Sequence, residues 1–326
     1  LNTPALAILD DGCTLRGLFT NGDMRKFFLS NGDLQADIEM AMNSNPACFY
    51  SIDEIKAAQV LNPYIAYPLV DSNGKLVDLV FDPSRAHPRT DDLSMVPLVI
   101  MAGGKGTRLY PYTKILPKAL VPIGEKTVSE RIIDQFYQRG CRDVFFVLNH
   151  KAGMVRAYFD DIDRDYDVHY VEESEFLGTG GGLSLLKGQI DSTFILSNCD
   201  IIINDDLSCA YRTHCEEGNL VTFICAMINV AIPYGVVKTD NDGVITSMEE
   251  KPKISCLANT GVYIVEPQVL DMIRENEFVH FPMVAERLLS KGERVGVFPV
   301  SEKSWIDIGE LTKMNNAIKQ FDREPE

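Results

Sequence analysis

Apolar residues fall into two kinds of pattern, and the change comes near residue 82. Beyond residue 95 there are short, nearly continuous apolar runs: Leu98–Ala102, Val144–Leu148, Thr193–Ser197, Leu220–Met227 and Thr260–Val265. Such runs predict strands buried on both faces. Between them the period lengthens to that of helices. Thr127-x-x-Glu130 is a capping box that opens a helix with Ile132, Ile133 and Phe136 inward, and Gly140 stops it. Val155, Tyr158 and Phe159 mark another helix, and Leu311–Phe321 closes the chain as one. This alternation predicts an α/β domain: a Rossmann-like, mostly parallel mixed sheet with helices on both faces. Ligands of such sheets bind beyond the carboxyl ends of the strands.

The front of the chain carries a repeat instead. Leu9-Asp10-Asp11-Gly12 through Leu18 matches Val70-Asp71-Ser72-Asn73 through Leu79 at an offset of 61 residues. Each copy predicts a hairpin around an Asp/Gly/Asn turn. A helix with Ile52, Ile55, Ala58 and Leu61 on one face precedes the second copy. Shifted back by 61 it falls before residue 1, so the first copy is expected to lack its opening helix. Pro, Asp, Ser and Arg without apolar period follow, and predict a linker. The expected division is a small α+β module at 1–82, a linker at 83–95 and an α/β domain at 96–326.

Composition narrows the function. The chain has 326 residues, with 31 basic and 47 acidic side chains and a net charge of −16. That argues against nucleic acid and against an anionic membrane surface as partners. No apolar run approaches the ~18 residues of a membrane span, and no signal peptide is visible. Eight cysteines are scattered with no C-x-x-C pair, which suits a reducing cytoplasm.

One loop reverses the sign of the charge. Met101-Ala102-Gly103-Gly104-Lys105-Gly106-Thr107-Arg108-Leu109 follows the first predicted strand. The spacing is neither that of a P-loop nor that of a dinucleotide-binding loop. Still, three glycines let backbone N–H groups approach an anion. Residues 103–118 hold Lys105, Arg108, Lys114 and Lys118 and no acid. A polyphosphate site needs that combination.

Gly103 to Leu109, followed by Leu116-Pro117-Lys118-Ala119-Leu120, resembles the signature of sugar-1-phosphate nucleotidyltransferases, and the likeness runs from about residue 97 to 311. The resemblance implies transfer of a nucleoside monophosphate from an NTP to a sugar-1-phosphate, with release of pyrophosphate. It also implies the nucleotide-diphospho-sugar transferase type of sheet. On matching residues, Ala102, Gly103, Gly104, Gly106 and Thr107 would line the triphosphate, Arg108 would neutralise the leaving pyrophosphate, and Lys118 would sit at the transfer centre. Leu177-Gly178-Thr179-Gly180 resembles the family's L-G-T-A turn, where backbone meets the base, with Gly180 in place of Ala. Asp200 and Asp307 match the family's metal aspartates. Mg²⁺ wants hard oxygen ligands, one or two carboxylates plus phosphate oxygens. Tyr234-Gly235, Glu250-Lys251 and Asn259 match its sugar and sugar-phosphate contacts. His150 and His169 are expected to be structural or surface residues.

Glu172-Glu173 places carboxylates where the family meets the base. Guanine offers paired N–H donors to an acceptor of that kind, which favours GTP, with UTP, CTP and dTTP as rivals. In the front module, Gly17-Leu18-Phe19-Thr20-Asn21-Gly22-Asp23 resembles the G-x-x-T-x-x-D signature of CBS repeats. Thr20 and Asp23 would then take an adenine nucleotide. In the alternative, Asp23 merely N-caps the next helix. The second copy has Phe81 and Ser84 at those positions. CBS repeats joined to this catalytic part resemble the guanylyltransferases of bacterial nonulosonic (legionaminic) acid pathways. That implies glucosamine-1-phosphate as substrate, with mannose-1-phosphate as the alternative, and a homo-oligomer is expected. A catalytically inactive nucleotide-sensing protein is the alternative of another class.

Overall fold

The structure, a computed structural model, describes residues 5–61, 66–81 and 93–321. The chain forms two compact units: Leu1–Thr90 with Met227–Cys256, and Asp91–Ala226 with Leu257–Glu326. This division is not linear in sequence. Met227–Cys256 joins the front of the chain, where Leu34 N–H donates to Ser255 Oγ (3.0 Å) and Ser255 Oγ donates to Asn229 Oδ1 (2.7 Å). No helix among the described residues is long and apolar enough to cross a membrane.

In the first unit the repeat is present in backbone geometry. Strands Ala5–Leu9 and Leu15–Thr20 pair antiparallel with Ala5 opposite Thr20, and the register slips at Ile8/Leu9. Strands Ala66–Val70 and Leu76–Phe81 pair with Ala66 opposite Phe81, and slip at Leu69/Val70. The turns are built alike. Asp10 Oδ1 accepts N–H bonds from Gly12 and Thr14 (3.0 and 2.9 Å), and Asp71 Oδ1 accepts them from Asn73 and Lys75 (2.8 and 2.9 Å). These amides hold both carboxyls below the usual aspartate range, Thr14 and Lys75 contributing most. The two tips also bond to each other reciprocally, Leu15 N–H to Gly74 O (3.1 Å) and Leu76 N–H to Cys13 O (3.0 Å). Local two-fold symmetry follows from the internal repeat. Ala5, Leu18 and Ala66 form its small core with Leu79 and Phe81.

Two expectations for this unit need correction. Helix Asn21–Asn31 is capped by Thr20, not by Asp23. Thr20 Oγ1 accepts Asp23 N–H (3.2 Å), and Asp23 Oδ2 accepts the Thr20 N–H and hydroxyl (2.8 and 2.6 Å). Helix Ile52–Leu61 buries Ile55 (1% exposed) but leaves Ile52 at 45%, so its apolar stripe does not begin in the first turn. Residues 83–92 of the expected linker lie outside the described residues. Leu93, at its far end, is fully buried and donates its N–H to Arg139 O (2.9 Å), which makes it part of the second unit.

The second unit is organised by a seven-stranded sheet. Its order is Val295–Ser301, Val221–Ala231, Lys253–Val265, Phe194–Asn198, Leu98–Ala102, Asp143–Leu148, Asp167–Glu172. The last four are parallel to one another, and Lys253–Val265 runs antiparallel to Phe194–Asn198. The α/β fold class with a mostly parallel mixed sheet is therefore as the sequence predicts. Strands Leu98–Ala102, Asp143–Leu148 and Asp167–Glu172 step outward in chain order, and the next sheet strand, Phe194–Asn198, returns to the other side of the first. The strand order reverses there, and such reversals open a crevice at the carboxyl ends. The capping box of helix Val128–Tyr137 is formed as predicted, with Thr127 N–H and hydroxyl on Glu130 Oε2 at 2.7 and 2.8 Å.

Candidate active site

A cavity of about 250 Å³ occupies that crevice, lined by residues from both sides of the reversal. From the first strand come Met101 and the loop Gly103, Gly104, Gly106, Thr107 and Arg108, and from the returning strand come Asn198, Cys199 and Asp200. Lys118, Phe176, Gly178, Thr179 and Gly309 complete the wall. Gly103, Gly104, Gly106, Thr107, Arg108, Lys118, Gly178, Thr179 and Asp200, all expected from the sequence, meet here. Asn198, Cys199 and Phe176 line the cavity too and belong to none of the motifs.

The loop takes its shape from close approach. A Cβ on Gly103 would lie 2.4 Å from Glu173 Oε2. Gly106 has φ +63°, and Thr113 Oγ1 donates to its carbonyl at 2.6 Å. Lys151 then fixes the following turn. Its Nζ donates to the carbonyls of Thr113, Lys114 and Ile115 at 2.9, 2.8 and 2.9 Å. These are the orphan carbonyls of the one-turn helix Tyr112–Ile115. Neither Thr113 nor Lys151 belongs to the loop's motif.

Ala102 ends the strand buried, at 4% exposure, and is not among the residues that line the cavity. Gly178 is at φ +83°, with Val279 O only 2.6 Å from where a Cβ would stand. Gly180 has a similar reason to lack a side chain, since Phe281 N would be 2.9 Å away. The segment 279–281 therefore excludes the Ala of the usual motif. Thr179 Oγ1 accepts the Phe281 N–H (3.2 Å) at the start of helix Phe281–Ser290.

The two glutamates part company. Glu172 is exposed and held by Arg156 Nη2 at 2.8 Å, and it is not among the cavity's lining residues. Glu173 is 3% exposed and packs behind Gly103 and Gly182. Its Oε1 accepts Leu177 N–H at 3.3 Å, while Oε2 has no hydrogen-bond partner. Desolvation pushes its carboxyl up to about 7, against a small opposing pull from the Leu177 amide.

Asp200 and Asp307 are brought together by a short antiparallel ladder, Ile201–Ile203 against Trp305–Asp307, in which Ile201 faces Asp307. Both carboxylates converge on Gly309. A Cβ there would lie 2.8 Å from Asp200 Oδ2, 2.9 Å from Asp307 Oδ1 and 3.4 Å from Arg108 Nη2. Asp200 receives Lys118 Nζ at 2.5 Å, with both side chains largely buried. Burial works against the charge on Lys118, but the Asp200 carboxylate, through its charge and its hydrogen bond, outweighs it and keeps the ammonium above the ordinary lysine range. Asp307 receives Lys313 Nζ at 2.6 Å and Gly309 N–H at 2.8 Å. Burial would raise its carboxyl, yet these two donors bring it below the usual value. Arg108 Nη1 stands 3.6 Å from Glu310 Oε1. Cys199 is a neutral thiol, pushed up to about 12 by burial.

The donor set fits a hard divalent cation. Two carboxylates converge, and no group of three or more His, Cys, Asp or Glu placed to hold a metal ion occurs among the described residues. The other positions would fall to phosphate oxygens and water, the usual arrangement for Mg²⁺.

Tyr234, Gly235, Glu250 and Lys251 belong to the other unit, beside the hairpin Val236–Thr239/Ile245–Glu249. They cluster there: Lys251 N–H donates to Tyr234 O (3.2 Å), and Glu250 Oε2 is 2.8 Å from where a Gly235 Cβ would stand. Asn259 is in the second unit, and its amide serves its own strand, donating to Tyr263 Oη (2.9 Å) and accepting Gly261 N–H (3.1 Å). His169 stacks on Phe145 with centroids 4.5 Å apart, and His150 is lowered by burial and by Lys151 and Lys105.

A glycine loop, clustered cations and paired carboxylates at a strand-order reversal define a nucleotide-handling α/β protein. The comparisons agree. Residues 98–324 match the family model for nucleotidyl transferases, and the chain belongs to that family. It is 31% identical over 242 residues to a UTP–glucose-1-phosphate uridylyltransferase of Synechocystis sp., covering 68% of this chain and 62% of that protein. It is also 31% identical to the mannose-1-phosphate guanylyltransferase catalytic subunit beta of Drosophila melanogaster, over 54% of this chain and 49% of that one. The chain thus spans less than two thirds of the length of these curated relatives, 62% of one and 49% of the other. Among solved structures, HddC from Yersinia pseudotuberculosis shares the fold with a TM-score of 0.55 at 24% identity, over 69% of this chain and 99% of that one.

Proposed function

We propose that the protein transfers a nucleoside monophosphate from an NTP to a sugar-1-phosphate and releases pyrophosphate. The observation that carries this reading is the convergence of Asp200, Asp307 and Arg108 on one point at the mouth of the glycine-loop cavity. A sugar phosphate oxygen, already an anion, attacks the α-phosphorus in line, so no general base is required. The obstacle is repulsion between two anions. Loop N–H groups and Arg108 take the β- and γ-phosphates, and Lys118 faces the transfer centre. Such preorganised donors act without reorganising during reaction, and alignment of two substrates can remove ~7–11 kcal/mol from a barrier. Mg²⁺ on Asp200 and Asp307 would supply Lewis-acid polarisation of phosphoryl oxygens.

Glu173 supports GTP as the nucleotide. The carboxyl is buried behind Gly103 and is not part of the cavity wall, so its support is the acidic sequence before the Leu177-Gly178-Thr179 turn and not a contact with the base. Glucosamine-1-phosphate is the acceptor we favour, from the pairing of the catalytic unit with a CBS-like front module. The reciprocal hairpins support a repeated module, whereas an adenine nucleotide there rests on the Gly17–Asp23 motif alone, because the capping box engages the side chains of Thr20 and Asp23. The Synechocystis relative supports a second reading, in which the base is uracil and the sugar glucose. A matrix of four NTPs against glucosamine-, mannose- and glucose-1-phosphate, read by product mass, tests both. GDP-glucosamine as main product is expected, a UDP-sugar would transfer the case to the second reading, and no product from any pair would overturn the activity.

A further inference from the structure

We propose that Lys313 holds the place of a cation at Asp307 in the nucleotide-free protein, so that divalent-metal binding depends on the arrival of the triphosphate. This rests on the reading of Asp200 and Asp307 as metal carboxylates.

Each carboxylate at the mouth of the cavity already has its own cation. Asp200 has Lys118 at 2.5 Å, Asp307 has Lys313 at 2.6 Å, and Glu310 has Arg108 at 3.6 Å. Three negative charges face three positive ones, and the second oxygen of Asp307 is taken by Gly309 N–H. A dication arriving alone must displace an ammonium and leave it without an acceptor. A dication arriving with a nucleotide brings phosphate oxygens, which accept the displaced ammonium through charge-assisted hydrogen bonds.

Of the two lysines, Lys313 is built to exchange. Its side chain is 47% exposed at the first turns of helix Leu311–Phe321, whereas Lys118 is 15% exposed and enclosed beside Cys199. A long side chain at half exposure can change partners at little cost. Lys313 is thus a positioning residue: it keeps Asp307 aimed at Gly309 and withholds it from metal until phosphate is present.

The test is Mn²⁺ binding to the full chain, followed by electron paramagnetic resonance with and without GTP and with no turnover required. Wild type should bind Mn²⁺ weakly alone and tightly with GTP. Lys313→Met should bind Mn²⁺ alone about tenfold more tightly, a change of ~1.4 kcal/mol. Lys313→Arg should restore the wild-type pattern, and Asp307→Asn placed on Lys313→Met should cancel the gain. A folded Lys313→Met with no gain in metal-alone affinity overturns the proposal while leaving the metal carboxylates intact. If Asp307→Asn leaves GTP-dependent Mn²⁺ binding unchanged, the metal assignment itself fails and takes the proposal with it.

Discussion

Glu173 stands directly behind Gly103, so close that a single methyl group on the glycine would lie 2.4 Å from the Oε2 of the glutamate. The glycine is therefore required from behind by a carboxylate as well as from in front by the phosphates it would receive. Gly103→Ala must push the loop or the glutamate out of place. Displacements of ~1 Å in a positioning loop can cost about 100-fold in turnover. We expect Gly103→Ala to lose activity on that order, and Gly103→Ala/Glu173→Ala to regain part of its nucleotide affinity. A double-mutant cycle on GTP binding measures the coupling, and additive losses would show that the two residues do not interact.

The same glutamate makes stability depend on pH. Its carboxyl titrates near 7 in the folded protein, against 4.5 as the ordinary value. Between those values the folded state keeps a proton that the unfolded state has released. Stability from this group is therefore full below pH 4.5 and is lost as pH rises through 7. Glu173→Gln removes the loss. Its stability relative to wild type should improve from pH 5 to pH 8 by on the order of 2 kcal/mol. Urea unfolding at the two pH values checks it, and an equal difference at both would place the titration elsewhere.

Asp200 and Asp307 should be alike in chemistry and unlike in stability. Asn at either position removes a carboxylate from the converging pair, and turnover should fall about 100-fold or more. Asp200→Asn also strands Lys118, whose side chain is only 15% exposed. Breaking one side of a buried pair costs about 3–5 kcal/mol. Lys313 is 47% exposed, so Asp307→Asn should cost less than ~1 kcal/mol. Pyrophosphate release and thermal unfolding on the two variants separate the effects, and equal melting shifts would contradict the difference in burial.

How much of this was legible in the sequence depends on how local each feature is. The strand Leu98–Ala102, the capping box at Thr127 and Glu130, and the repeat at offset 61 are written in contiguous residues, and all are present. The loop and Asp200 are also local, since each lies at the carboxyl end of an apolar run. Glu172 and Glu173 are adjacent and face different ways, a choice that depends on where the strand ends. Lys151, Lys313 and Thr113 were invisible because their roles depend on contacts made after folding. Lys151 reaches carbonyls 36 to 38 residues earlier in the chain. The membership of Met227–Cys256 in the front unit was equally hidden, because Ser255 finds its Leu34 partner 221 residues away.

Lys151 provides the last prediction. It sits at φ +59° just before helix Ala152–Asp161 and gives all three of its ammonium protons to the carbonyls of residues 113–115. That turn lies between the glycine loop and Lys118, and Thr113 also bonds the Gly106 carbonyl. Removing the ammonium leaves three carbonyls to water and frees the segment that sets both ends of the cationic cluster. Lys151→Met should therefore raise KM for the nucleotide and lower kcat about tenfold through misalignment, without touching the sugar-1-phosphate KM. Lys151→Arg, which keeps the charge but presents a planar fork, should restore only part of it. Hydrogen exchange localises the effect: faster exchange confined to residues 106–118 is expected in Lys151→Met. Unchanged protection there, with unchanged kinetics, would show that the loop holds its shape through Thr113 and the glycines alone.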